Sequence, residues 1–556
     1  MIRITLEKIL AKTDQNISRI ARETGINRNT LQSIVLGKSS GVQFETLDIL
    51  CRTYGVKLED LFIQAQPASS EALEGKLYRQ EAEAVLFTLL PPAQAVVDFS
   101  LPHRRESGFG SLWMYCKDKY LFGFWEEEKM RTIARGFYEY YCDSQRFDIL
   151  YGEFLSHSAV VESFYRRAYD GDIAHLDATQ LLKLFGEVRA ASAQFWMTSI
   201  FIDGFDVGVD QELIAEITQK VGLSAEDVHA LTTPSEMTFL TERKFALHKI
   251  FASMGKKTWT EDLIRSFVSS SSDVRFFKRD FDYVDSNYAT VKHQTDEQIV
   301  AELWRMHQDV PKTLSDYRDL QRYVSDHEAS IAAVVKKYKL GKNPLWFFER
   351  LTIWREYRKK VNLMSIHVYD AILERIEAIV GIPKKYLQYL TLDEVPNVLR
   401  GLLPLEELRA RREEGVMVIM TRNGYELLHG KQAESLLREL NDRLITNNTA
   451  KIINGQTASQ GYAKGIARVV LNQSQFDRFN EGEILVTGMT RPEFVPLMKK
   501  AAAIVTNEGG ITCHAAIVSR ELGKPCIIGT KNATTLIPDG AMIEVRANHG
   551  TVRVLT

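Results

Sequence analysis

The chain has 556 residues, room for several domains of the usual ~100–200 residues and for a large buried core. Its 70 Lys and Arg nearly balance 72 Asp and Glu, a net charge of −2, so no global field favours nucleic acid or an anionic membrane. Cys51, Cys116, Cys142, Cys513 and Cys526 show no metal-binding spacing and fit a reduced, cytoplasmic setting; the start Met1-Ile2-Arg3-Ile4, soon followed by Glu7 and Lys8, has no secretory apolar region, and no apolar run reaches the ~20 residues that span a bilayer.

Residues 1–64 read as a compact all-α unit. Ile17, Ile20 and Ala21 recur at helical spacing, and Gly25 ends that helix. Asn27 is the expected N-cap of a second helix over 28–36, closed by Gly37, and 44–54 and 58–62 give two more. Two short helices about a glycine turn have the shape of a helix-turn-helix. The second helix turns Arg28, Asn29, Thr30, Gln32 and Ser33 outward and Leu31, Ile34 and Val35 inward; the outward types bond base edges and phosphates. Between Thr24 and Phe44 there are two basic residues, Arg28 and Lys38, and no acid. By periodicity alone a helical docking module with polar surfaces fits equally well. The run Ile20-Ala21-x-x-Thr24-Gly25-Ile26-x-Arg28-x-Thr30-Leu31, with Thr46-Leu47-x-x-Leu50-Cys51, resembles the Cro/C1-type (XRE) DNA-binding domain over about 4–64. The resemblance implies that Asn27, Arg28, Asn29, Thr30, Gln32 and Ser33 enter the major groove of double-stranded DNA, that Lys38 touches phosphate, and that the chain is a homodimer.

Residues 65–72 read as a linker, and 73–445 as a large, mostly α-helical middle. A division of that middle near 269–295 is left open, with 269–272 as a loop. Thr295-Asp296-Glu297-Gln298 is a capping box opening a helix through Met306. A long helix follows Pro344 to about Ile379, and Ile382-Pro383 breaks it. On it Arg355, Arg358 and Lys359 fall within one turn, which we assign to a solvated face. His103-Arg104-Arg105 before Gly108-x-Gly110 reads as a solvated turn, and Trp113, Tyr115, Tyr120, Phe122 and Trp125 as core. Phe281-Asp282-Tyr283-Val284-Asp285-Ser286-Asn287-Tyr288 resembles stand-alone proteins of the phosphoenolpyruvate-utilising family. Tyr389-Leu390-Thr391-Leu392-Asp393-Glu394-Val395, with the arginines at 409, 411 and 412, is similar to the approach to the mobile domain in rifampin phosphotransferase. Apart from His514 the histidines are isolated in sequence, and no metal site is assigned.

The last hundred residues carry the chemistry. Ala501 to Val505 is a short apolar strand; Gly509-Gly510 permits a sharp turn and close approach; His514 opens a helix to about Leu522; Gly523 and Pro525 stop it; Cys526-Ile527-Ile528 is the next strand. A neutral imidazole is a good nucleophile near pH 7, and a helix N-terminus favours a phosphoryl dianion. A histidine capping a helix beside a glycine turn is the plainer alternative. The full pattern Gly509-Gly510-x-Thr512-x-His514-Ala515-Ala516-Ile517-x-x-Arg520-Glu521-x-Gly523-x-Pro525 resembles the α/β swivelling (mobile) phosphohistidine domain of phosphoenolpyruvate-utilising enzymes, namely phosphoenolpyruvate synthase, pyruvate phosphate dikinase and rifampin phosphotransferase, over 450–556. Ala458-Ser459-x-Gly461-x-x-x-Gly465-x-Ala467-Arg468-Val469 and Ile484-Leu485-Val486-Thr487-x-Met489-Thr490-x-Pro492-Glu493 support it. The resemblance implies that His514 is transiently phosphorylated on the nitrogen remote from the backbone, with Thr512 and Cys513 beside it and Gly509, Gly510 and Arg520 around the phosphate.

The family's ATP-grasp motifs, a P-loop and the phosphoenolpyruvate-binding barrel are not found, so complete synthase or dikinase activity is not expected. No bound cofactor is identified; the phosphoryl donor is expected to be phosphoenolpyruvate or ATP, through a separate kinase or ATP-grasp component. The expectation is a DNA-binding, phosphotransfer-linked regulator. The alternatives are a small-molecule phosphotransferase or split-system subunit, and a non-catalytic regulator with a sensor-like C-terminal domain.

Overall fold

The structure, a computed structural model, describes residues 2–4, 6, 9, 17–27, 30, 31, 34, 42–64, 73, 75–100, 108–255, 259–422, 424–446, 452–509 and 513–555. In the first unit, β1 (Ile2–Ile4) pairs antiparallel with β2 (Phe62–Gln64), Ile2 opposite Gln64, which ties its two ends together. Between them lie α1 (Ile17–Thr24) and α2 (Phe44–Tyr54), stopped by Gly25 and Gly55 in left-handed conformations at φ 70° and 59°. The helix expected over 58–62 is a 3₁₀ turn, Leu58–Leu61, that runs into β2, because pairing with β1 takes up the backbone bonds a helix would use. Ile20, Leu31, Ile34, Leu47, Leu50 and Leu61 form the core of this unit, and Leu402, from far along the chain, is buried among them. The expected linker over 65–72 lies outside the described residues, as do His103, Arg104 and Arg105.

The middle holds a sheet that the helical reading did not anticipate. β3 (Leu77–Glu83), β4 (Leu112–Lys117), β5 (Tyr120–Glu126), β6 (Val416–Thr421) and β7 (Gly424–His429) pair antiparallel in the order β3-β5-β4-β6-β7. Both faces are covered. Met114, Val418 and Met420 enter the main core; Trp113, Tyr115, Phe124, Met417 and Ile419 face a second core with Leu440 and Leu444. Strands buried on both sides lose the apolar–polar alternation that marks a half-exposed strand.

Elsewhere helices dominate. α3 (Leu86–Asp98), α4 (Ser144–Tyr169) and α5 (Ala178–Met197) surround an aromatic-rich core. α6 (Ser272–Phe281) follows a helix over Glu261–Ser270 after Ser271 alone, so the expected loop over 269–272 is one residue whose hydroxyl caps α6. α7 (Asp296–Gln308) opens on the Thr295 capping box as expected. Ile264, Val268, Val274, Phe277, Ile299 and Leu303 give these helices a core of their own. α8 (Trp346–Val380) runs 35 residues and stops at Gly381, φ 73°. Arg411, near the segment likened to rifampin phosphotransferase, is 1% exposed and makes 2.6 Å bonds to both carboxylate oxygens of Glu394, with Glu407 at 2.8 Å, a bidentate structural clamp.

After α9 (Gly430–Thr446) comes one eight-stranded sheet. Its strands are β8 (Ile452–Asn454), β9 (Gln456–Ser459), β10 (Tyr462–Val469), β11 (Ile484–Thr487), β12 (Ala503–Thr506), β13 (Cys526–Ile528), β14 (Met542–Arg546) and β15 (Thr551–Val554), in the order β8-β15-β14-β10-β11-β12-β13-β9. β10 to β13 are parallel and the flanking strands antiparallel. Ile484, Val486, Val505 and Ile527 point to one core, while Leu485, Ile504, Cys526 and Ile528 point to another that Ala515 and Ala516 of α10 (His514–Glu521) cover. Gly455 alone separates β8 from β9, the two edges of the order, so the sheet curls until its edges meet there; a Cβ at Gly455 would lie 2.5 Å from Ile527 Cγ2.

Candidate functional site

Parallel β11, β12 and β13 end on one rim, where three loops open: 488–490, 507–509 and 529–531. The crevice beyond the carboxyl ends of such strands is the usual place for a ligand in an open parallel sheet. The second loop leads to α10, whose first residue is His514. Gly509 takes φ 117°, and a Cβ there would stand 2.6 Å from Cys513 Sγ, so the turn requires glycine. The His514 ring is half-buried, and Nδ1 lies 2.8 Å from Thr490 Oγ1. With Nδ1–H donating to that hydroxyl, the lone pair sits on Nε2, remote from the backbone. Burial pulls the imidazole pKa below 6.5, and the opposing effects of Glu493 and Glu521 do not restore it. The ring is therefore neutral at pH 7, beside the positive end of a helix dipole, and can attack phosphorus.

The other expected residues divide. Cys513 occupies the N-cap position of α10, and burial pushes its thiol pKa up, which keeps it protonated. Arg520 turns back on its own helix, Nε donating to the Ala516 carbonyl oxygen at 2.9 Å. Thr512 and Gly510 lie outside the described residues. Thr490 was not singled out from the sequence; its one signal was its place in the stretch after β11.

The same rim docks on the middle unit. Glu81 of β3 accepts bonds from Asn507 Nδ2 and from Thr534 Oγ1 at 2.5 Å, while Tyr120 donates to its other oxygen at 2.7 Å. Arg79 bridges Glu81 at 3.4 Å and Thr534 at 3.0 Å, and Arg491, next to Thr490, lies 3.5 Å from Glu83. Gly488 permits the contact: a Cβ there would stand 3.1 Å from Glu81 Cγ. Glu508 is pushed up to about 8 by burial and by Asp206 and Glu81, both from the middle unit. Asp206 is itself raised by burial, against the pull of Arg355 at 3.6 Å. Arg358 is 2.7 Å from Asp203 and donates to the Ser199 carbonyl oxygen. Arg355 and Arg358 thus face carboxylates and not the solvent we expected, because α8 packs that face against the segment Ile200–Val207. A cavity of about 290 Å³ runs along the contact between the units, lined by Lys76, Arg79, Glu127, Lys531 and Asn532 among others.

In the first unit the Asn27 carbonyl oxygen accepts the amides of Thr30 and Leu31, and most of the expected second helix lies outside the described residues. Asn27 is exposed and Thr30 half-buried; Arg28, Asn29, Gln32, Ser33 and Lys38 lie outside the described residues. No helix among the described residues is long and apolar enough to cross a membrane.

Residues 479–550 match the family described as PEP-utilising enzyme, mobile domain, and residues 5–64 match the Cro/C1-type HTH DNA-binding domain. The chain is 52% identical over 101 residues to a probable phosphoenolpyruvate synthase of Archaeoglobus fulgidus, covering 18% of this chain and 13% of that protein. It is 34% identical over 201 residues to a phosphoenolpyruvate synthase of Aquifex aeolicus, covering 33% of this chain and 23% of that one. The chain spans 12% to 23% of the length of the curated relatives it matches. The crystal structure of Thermococcus kodakaraensis aconitase X, in its holo-form, is similar over 19% of this chain and 98% of its own, at 19% identity and a TM-score of 0.15, too low to support inference. The architecture read from the sequence therefore stands: a Cro/C1-type DNA-binding domain at the N-terminal end and a PEP-utilising mobile domain at the C-terminal end.

Proposed function

We propose that this chain is a DNA-binding, phosphotransfer-linked regulator in which Nε2 of His514 carries a phosphoryl group. The observation that carries the reading is a neutral imidazole at the start of a helix, held at Nδ1 by Thr490. In the step itself the Nε2 lone pair forms the N–P bond, and the bond from phosphorus to the donor's leaving oxygen breaks, its electron pair departing with that oxygen. The donor is phosphoenolpyruvate, or ATP through a separate kinase component. The phosphoryl adds about −1.5 to −2 charges. It arrives on the rim that docks against Glu81 and Glu83, so the added negative charge disfavours the docked position. Leu402 links the middle unit to the core of the DNA-binding head, which offers a route from docking to operator affinity. Cytoplasmic location and binding as a homodimer belong to this reading.

A second reading, a phosphotransferase delivering phosphate to a small molecule held by the middle unit, draws support from the cavity along the docked rim. One experiment separates these. The full chain is incubated with phosphoenolpyruvate, or with ATP plus cell extract, and acid-labile phosphate is sought. The regulator reading expects label in the parent, none in His514→Ala, and operator affinity that changes on labelling. Label that survives His514→Ala sinks both readings. Label that turns over onto a small molecule, with operator affinity unchanged, favours the second.

A further inference from the structure

Away from the docked rim, the fold gathers Asp282, His293 and His367, whose ligand-type atoms all lie within 4.8 Å of one another. Asp282 ends α6, His293 lies in the loop before α7, and His367 sits midway along α8. Asp282 is 1% exposed; one carboxylate oxygen accepts the Gln294 amide at 2.7 Å, which fixes its orientation. The other oxygen lies 2.6 Å from His293 Nδ1 and 3.8 Å from His367 Nδ1.

Ser286 fixes the orientation of the His367 ring. Its Oγ accepts the Lys292 amide at 3.0 Å and is hydrogen-bonded to His367 Nε2 at 2.8 Å, which holds the ring with Nδ1 toward Asp282. Nδ1 thus faces a buried carboxylate oxygen at 3.8 Å, beyond hydrogen-bond reach. Two imidazole nitrogens gathered about one oxygen of a buried carboxylate, with no hydrogen bond between His367 and that oxygen, leave room for a cation. A hydroxyl that orients a histidine through its far nitrogen is the usual support of a metal ligand.

We propose that Asp282, His293 and His367 bind one divalent transition-metal ion of the Zn²⁺ class, with its remaining coordination positions open to solvent on the His293 side. Imidazole and carboxylate donors suit such an ion, and two histidines with one carboxylate leave positions free. The ion takes the place of the proton shared by His293 and Asp282. Bonds of ~2.0–2.1 Å in a tetrahedron set ligands about 3.3 Å apart, so the 2.6 Å pair must open slightly. His293 can yield, because its side chain is 70% exposed. The loop is pinned from its other side: Tyr288 bridges to Ala84 at the end of β3, and its carbonyl oxygen accepts Thr88 Oγ1 at 2.7 Å.

The untagged full-length chain, stripped with chelator, is titrated with Co²⁺ while the visible d–d bands are recorded, then with Zn²⁺ in competition. One equivalent of Co²⁺ is expected, displaced by Zn²⁺, and His293→Ala should weaken binding at least tenfold. That variant removes an exposed side chain, so its fold, checked by circular dichroism, should persist. His367→Gln should weaken binding by a similar factor. If no cobalt bands appear, or His293→Ala binds as the parent does, the three residues are only a hydrogen-bond cluster and the proposal falls.

Discussion

Thr490 holds Nδ1 of His514, and with Nδ1–H donating to its hydroxyl, Nε2 is left free. Its hydroxyl, 2.8 Å from Nδ1, is buried and cannot be replaced by water without rearrangement. Thr490→Val keeps the shape and removes the bond, which is worth about 1 kcal/mol. Phosphorylation of His514 should slow roughly fivefold, read as the initial rate of acid-labile labelling. An unchanged rate would mean that Thr490 plays no orienting part. The pH profile follows from the same burial. The folded pKa lies below 6.5, so the rate should fall on acidification with its midpoint below 6.5, as protonation takes the Nε2 lone pair. A midpoint at or above 6.5 would contradict the assigned environment. By linkage the unfolded chain gains that proton first, so this residue lowers stability as pH drops below 6.5.

Gly509 is the tightest point of the strand-to-helix turn. Gly509→Ala forces a side chain into φ 117° and against Cys513 Sγ, a loss of about 1–3 kcal/mol. Gly482→Ala is the control: φ is 83°, yet nothing stands within 4 Å, so only backbone strain remains. Urea unfolding should show the larger loss at Gly509; equal losses would show that the sulfur contact does not matter. Local chemistry of this kind was legible in the sequence. Gly25, the Thr295 capping box, Gly523 and the run from β12 through α10 are each specified by residues within one or two turns. The middle sheet was not. β4 pairs with β6 across some three hundred residues, every position of β6 is buried, and the β4–β5 turn uses Asp118 and Lys119 at φ 40° and 66°, with no glycine to announce it. Asp282, His293 and His367 escaped notice for the same reason: no spacing along the chain records what helices bring together. Arg355 and Arg358 look like any charged helix face until Asp203 and Asp206 are seen opposite.

Across the whole molecule, docking of the C-terminal sheet should respond to pH. Glu508 keeps its proton up to about 8 when docked but releases it near 4.5 when solvated. The docked form thus binds the extra proton, so docking has full strength below about 4.5, weakens as pH rises, and loses this contribution above about 8. Small-angle scattering should report a growing radius of gyration between pH 5 and 8.5, and Glu508→Gln should flatten that trend. A radius independent of pH in the parent would rule out the linkage.

Gly455 bears on what such a departure exposes. By carrying the chain from one border of the eight strands to the other in a single residue, it wraps the sheet nearly shut. A unit that travels needs few raw backbone amides along its flanks, since these would pair with any strand they met. Were the C-terminal lobe to leave its berth, it would bare the rim that carries the imidazole while its strand flanks stayed closed on each other.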